Sequence, residues 1–298
     1  MTQAKAEGTL RFAVNTNMFR NSMTKADIVK LCRQSGADGI EWGLGKLDTA
    51  RADAQEMHKL TADAGLTVLG YLNAGGMWKE DLIRHWSEAI LDCGGNTLRV
   101  AHPWFGWDYA ETVHQPENYL DLVKRSVGAI KKLETLSREY GIKYVLETHG
   151  GSVAADPWAV RYLMQGVDPD CVGAIYDPAN GVVEGFIRPR GACELMGRHM
   201  AYVHAKNQIF VPRSSFIETM APPRLQWKMQ RAFLDQGMVD YVEVLFALKC
   251  SGYRGWISLE EFVTEDYVRE ISEGIKFLKR CAESAPSGPM PPFTTFNV

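Results

Sequence analysis

A chain of 298 residues, 46% hydrophobic and 10% aromatic, is long enough to bury one large core or two small ones. Its formal net charge of -3, with no run of Lys and Arg, excludes a dedicated nucleic-acid groove. No stretch is apolar enough to span a bilayer, residues 1–9 lack the apolar core of a signal peptide, and the six cysteines show no CxxC spacing, so a cytoplasmic protein with reduced, mostly buried thiols is expected.

The first strand is expected over Arg11–Asn15, followed by a helix that opens at Thr24, with Asp27 completing a capping box, and buries Ile28, Leu31 and Cys32. Strand two, Asp38–Trp42, delivers Glu41 and Trp42. A helix with Ala50, Ala54, Met57, Leu60 and Ala64 on one face leads to strand three, Thr67–Leu72. Another over 80–93 leads to strand four, Thr97–Ala101, which ends at His102 and runs into a loop carrying Trp104, Phe105 and Trp107. The longest helix puts Leu120, Val123, Val127, Ile130, Leu133, Leu136 and Tyr140 in register and feeds strand five, which starts at Lys143 and delivers Glu147 and His149.

Helices over 157–164 and around Cys193 lead into strand six, Val172–Asp177, and strand seven, which ends at His204 with Lys206 beyond it. From Asn207 to Gln236 the chain makes a long excursion rich in Pro, Arg and aromatics, and a loop of that length suits a lid or a partner contact. A helix with Tyr241, Val244, Leu245 and Leu248 reaches strand eight, Trp256–Glu260, and one with Val268, Ile271, Ile275 and Leu278 closes the set. Gly36, Gly65, Gly94, Gly141, Gly166, Gly197 and Gly252 each end a helical stretch ahead of a strand, as glycine at C′ does.

Strict alternation of eight strands and eight helices predicts a single parallel (β/α)8 barrel over 1–283, with a long loop after strand seven and a Pro-rich C-terminal arm over 284–298. Strand ends of such a barrel converge on one face, so Glu147, Asp177, His204 and Glu260 are expected to meet there as three oxygens and one nitrogen. That set suits Mn²⁺, Mg²⁺, Co²⁺ or Zn²⁺. One barrel-mouth carboxylate would as readily pair with a lysine; four converging strand ends make a site. Strand alternation puts Ser258 and Glu260 on one face and Leu259 and Glu261 on the other. His58, His85, His114 and His199 fall in helices or their approaches and read as structural.

The runs Gly-Ala-Asp-Gly-Ile-Glu41, Leu-Glu147-Thr-His149-Gly, Asp177-Pro-Ala-Asn180, Val-His204-Ala-Lys206-Asn207 and Gly-Trp-Ile-Ser-Leu-Glu260, in that order, resemble the xylose-isomerase-like sugar isomerase/epimerase family. The resemblance spans residues 10–280. It implies a TIM barrel holding one divalent metal, Mn²⁺ first among the candidates, on Glu147, Asp177, His204 and Glu260. It also implies a homodimer or homotetramer acting on a small-molecule carbohydrate. Glu147 and Glu260 are the implied acid/base pair, working through a metal-stabilised enediolate. Family members that are ketose 3-epimerases commonly have histidine where this chain has Asn180.

Substrate contacts are expected from His149, Lys206, Asn180, His102, Glu41, Trp104 and Arg213. His149 and His102 stand equally between that role and a supporting hydrogen bond. Glu41 reaches a substrate hydroxyl or forms a structural ion pair, and Trp104 stacks on a sugar or lines a subunit interface. The activity implied is a metal-dependent keto-sugar isomerase or epimerase. The alternatives are a dehydratase or lyase on a keto-inositol or 3-keto sugar, and a non-catalytic metal-binding subunit. A multi-zinc DNA-repair endonuclease of the same fold needs more site-facing histidines than the chain offers. No glycine-rich phosphate cradle stands out.

Overall fold

The computed structural model describes residues 9–19, 23–72, 75–101, 103–106, 116–212, 227–264 and 266–286. Eight strands close a barrel in chain order: β1 (Arg11–Asn15), β2 (Gly39–Gly43), β3 (Thr67–Leu72), β4 (Thr97–Arg99), β5 (Lys143–Glu147), β6 (Val172–Tyr176), β7 (Met200–Ala205) and β10 (Trp256–Leu259), which pairs back onto β1. Every pairing is parallel, as strands joined by helical crossovers must be. β4 stops at Arg99, and Ala101 makes only an isolated bridge to Gly76.

Because successive strand side chains point to opposite faces, the apolar residues divide into two clusters. The large one lies between strands and helices and includes Ile40, Tyr144, Leu146, Val203 and Leu259. The small one, Ala13, Leu69, Val145, Ile175, Tyr202 and Trp256, fills the barrel interior. It forms an apolar floor under the C-terminal strand ends. Arg11 stacks on Trp256 at 4.1 Å and closes the far end.

The helices are α1 (Lys25–Ser35), α2 (Ala50–Asp63), α3 (Glu80–Leu91), α4 (Tyr119–Tyr140), α5 (Pro157–Leu163), α6 (Pro178–Glu184), α7 (Pro189–Met196), α8 (Tyr241–Cys250) and α9 (Tyr267–Ser284). Thr24 caps α1, its hydroxyl accepting from the Asp27 amide at 3.2 Å, but the Asp27 carboxylate accepts from that same hydroxyl at 2.6 Å rather than from the Thr24 amide as a full capping box has it. Gly36 and Gly141 close α1 and α4 at φ of 78° and 68°, where a side chain would be strained. None of the six cysteines is in a disulfide. No described helix is long and apolar enough to cross a membrane.

The sequence reading needs three further corrections. In α4 the expected stripe packs from Val123 through Ile130, Leu133 and Leu136 to Tyr140, with Leu122, Ser126 and Ala129 buried beside it, but Leu120, in the first turn, is 69% exposed. In α9, Val268 faces out, and Glu270 is buried instead, accepting the Val263 amide at 2.8 Å. The segment after β7 is an antiparallel hairpin, β8 (Asn207–Pro212) with β9 (Trp227–Ala232), because its apolar and β-branched residues alternate well enough to pair. Residues 213–226, the middle of the expected long loop, and the expected arm beyond 286 lie outside the described residues.

Candidate metal centre

Alternation along each strand carries the floor upward into the site. On β5, Val145 lies in the floor and Glu147 one step above it. Asp177 follows Ile175 on β6, His204 follows Tyr202 on β7, and Glu260 follows Ser258 on β10. Glu147, Asp177, His204 and Glu260 are at most 4% exposed, and each offers a ligand atom within 4.8 Å of the others.

The spacing fits a single ion. His204 Nδ1 lies 2.9 Å from Glu147 Oε1 and 3.3 Å from Glu260 Oε2. Ligands about 2.1 Å from one metal sit roughly 3.0 Å apart along an octahedral edge and about 3.4 Å apart along a tetrahedral one. Asp177 uses Oδ1 to cap α6, accepting the Asn180 amide at 3.0 Å, which leaves Oδ2 facing the site. Lys206 Nζ is 2.8 Å from that Oδ2, an ion-pair distance, yet the angle makes no hydrogen bond. A buried carboxylate oxygen without a hydrogen-bond donor is the feature a cation completes.

Charge points the same way. Glu41, Glu147, Asp177 and Glu260 face Arg99 and Lys206 in this buried volume, so with neutral His204 two negative charges have no protein counter-ion. Burial alone would push the Glu147 carboxyl up, but Arg99, Lys206 and His204 outweigh it and hold it well below the usual carboxylate range. Glu260 falls to about 2 because Lys206 and His204 outweigh its burial. Burial wins at Asp177 and raises it to about 6, against the pull of Lys206. His204 is held well above its ordinary range although burial opposes this, since Glu41, Glu260 and Glu147 surround the ring.

The other expected residues divide into several groups. Lys206 bridges Asp177 and Glu260, at 2.8 and 2.7 Å. Asn180 is buried and donates to the Thr148 carbonyl at 3.0 Å and to Glu147 Oε1 at 3.4 Å, so it secures a ligand strand. His149 and Trp104 stand together on the rim with ring centroids 6.1 Å apart, because the Phe105 and Gly106 amides donate to the Gly151 carbonyl and tie the two loops. Burial lowers the His149 imidazole, keeping it neutral near pH 7. Glu41 is fully buried beneath His204, away from the rim. His102 and Arg213 lie outside the described residues.

Two residues of the site were not anticipated. Arg99 Nη2 pairs with Glu147 Oε2 at 2.5 Å, and Asn15 Nδ2 donates to Glu260 Oε1 at 3.0 Å. Both left a signal: each is a polar side chain at the inward position of an otherwise apolar strand.

Comparison with known proteins agrees with the barrel fold. Inosose dehydratase from Geobacillus kaustophilus (strain HTA426) is 25% identical over 142 residues, 45% of this chain and 44% of that protein, so the chain matches less than half the length of this relative. Among solved structures, IolI protein with a bound zinc atom superimposes with a TM-score of 0.71 at 19% identity, over 93% of this chain and 100% of that one. The apo form of 3-keto-D-glucoside 4-epimerase from E. coli gives 0.69 at 15% identity, over 92% and 100%. The sequence profile of the xylose isomerase-like TIM barrel family matches residues 29–281, and the chain belongs to that family.

Proposed function

We propose that this protein is a metal-dependent enzyme, with Mn²⁺ as its ion, that isomerises or epimerises a keto sugar or related polyol by removing the proton beside a carbonyl. The carrying observation is the buried quartet of ligand atoms at the C-terminal end of the barrel, where Asp177 Oδ2 is left without a hydrogen-bond donor. A divalent ion held there supplies Lewis-acid polarisation of a carbonyl and its neighbouring hydroxyl. Glu260, whose Oε1 accepts from the Asn15 amide at 3.0 Å and meets no charged partner among the described residues, is placed to take the proton, and Glu147 is its counterpart in a two-base exchange. The Lys206 ammonium, held protonated by Asp177, Glu260 and Glu147 against its burial, offsets charge developing on the substrate oxygen. Trp104, 37% exposed, offers an apolar rim to a sugar face.

One observation favours a second reading, β-elimination from a keto-inositol or 3-keto sugar. Arg99 engages Glu147 Oε2, which leaves Glu260 as the less encumbered base, and elimination needs only one. The similarity to inosose dehydratase leans the same way.

Incubation with ketoses, keto-inositols and 3-keto glycosides in D₂O with Mn²⁺ tests both readings. Deuterium entering a substrate without mass loss, abolished in both Glu147→Gln and Glu260→Gln, supports the epimerase. Loss of water or an aglycone, abolished in Glu260→Gln, supports elimination. Turnover of a verified substrate that survives Glu260→Gln sinks the acid/base assignment.

A further inference from the structure

We infer that Glu41 is a positioning residue that fixes His204 with its proton on Nε2 and its Nδ1 lone pair turned to the metal. The inference rests on the metal-centre reading and adds how the one nitrogen ligand is oriented. Glu41 is 0% exposed, so it meets no substrate. Both of its oxygens are engaged. Oε1 accepts from the Tyr202 hydroxyl at 2.5 Å and lies 3.1 Å from His204 Nε2; Oε2 accepts from the Ser258 hydroxyl at 2.6 Å and lies 3.0 Å from the same nitrogen.

A carboxylate is acceptor only, so the nitrogen facing it carries the proton. Nδ1 also faces a carboxylate oxygen, Glu147 Oε1 at 2.9 Å, but that oxygen is itself one of the four ligand candidates; with an ion between the two the ring is neutral, its one proton stays on Nε2 against Glu41, and Nδ1 is bare. The partner of the Tyr202 hydroxyl is a carboxylate oxygen, which can only accept, so the hydroxyl donates. Tyr202 and Ser258 therefore hold the carboxylate from two strands, and its free acceptor capacity points at the ring. The β2–β3 pairing slips by one residue between Ile40 and Glu41, at the position where this side chain enters the interior. Without Glu41 the ring is free to turn over and present a C–H to the ion.

Metal-stripped wild type and Glu41→Gln are titrated with Mn²⁺ by calorimetry, and both metal-free proteins are melted. The ¹⁵N-labelled wild type is loaded with diamagnetic Zn²⁺ and its imidazole resonances recorded. We expect Glu41→Gln to bind Mn²⁺ about 10–100-fold more weakly, beyond any effect of its melting temperature on the folded fraction. We expect the His204 ring to show a protonated Nε2 and a metal-bound Nδ1. Equal Mn²⁺ affinity in the two proteins, or ligation through Nε2, overturns the inference. Should the variant not fold, the wild-type resonances decide alone. Wild type that binds no Mn²⁺ sinks the metal-centre reading itself, a separate outcome.

Discussion

Glu260 and Glu261 show how one step along a strand changes the chemistry of a carboxylate. Glu260 points inward to Lys206 and Asn15. Glu261 points outward and accepts the Leu234 amide at 2.8 Å, with Glu270 nearby, so burial and like charge push it up to about 8. Its folded-state value lies above the unfolded one, near 4.5. The folded protein therefore binds the extra proton, and stability falls as pH rises from about 4.5 to 8 and levels off above. Glu261→Gln keeps an acceptor for Leu234 and removes the titration. It should melt higher than wild type at pH 8.5 and close to it at pH 5, as calorimetry at the two pH values will show; a larger gain at pH 5 would sink the argument. Period-2 alternation made the Glu260/Glu261 distinction legible from sequence. Arg99 was missed because a guanidinium inside an apolar strand reads as an exception until its partner, Glu147 on the neighbouring strand, is known.

At the scale of elements, the barrel order was legible because each glycine-closed helix and short apolar run repeats one unit; all seven glycines singled out have positive φ. The hairpin after β7 was not, since residues 213–226 separate its two strands in sequence, where the recognisable hairpin signal is a turn of two to five residues. Its base is held by Asn207, next to Lys206. The Asn207 amide donates to the Leu234 and Val239 carbonyls at 2.7 and 2.9 Å, and its oxygen accepts the Gln208 and Val239 amides at 3.0 Å each. Asn207→Ala leaves four buried backbone groups without partners and should lower stability by about 2–4 kcal/mol in urea unfolding. Asn207→Asp keeps the acceptor and loses the donors, so it should fall between wild type and Asn207→Ala. α6 was also unforeseen, although Asp177-Pro178 carries an N-cap and a proline at N1; Asp177 had already been assigned to the site, and it serves both.

For the whole molecule, metal occupancy, protonation and stability are one linked equilibrium. His204 holds an extra proton in the metal-free protein, since its folded value stands well above 6.5. Its contribution to stability is complete below the unfolded value and is lost as pH rises through the folded one. Mn²⁺ competes for the same Nδ1, so binding must expel that proton, and affinity should rise up to tenfold per pH unit while His204 stays protonated in the metal-free form. Over pH 6–8 the site carboxylates contribute little slope: Glu147 and Glu260 titrate below this window, and Asp177, at about 6, at its edge. The Glu261 titration is common to both forms and cancels in their difference. The melting-temperature gap between Mn²⁺-loaded and metal-free protein should therefore widen from pH 6 to pH 8. At a free concentration one hundred times the dissociation constant, the ion adds about 2.7 kcal/mol. Calorimetric titration in two buffers of different ionisation enthalpy reads the expelled proton directly. A gap that stays constant, with no proton released, would mean that His204 is already neutral in the metal-free protein and that the surrounding carboxylates do not hold its charge.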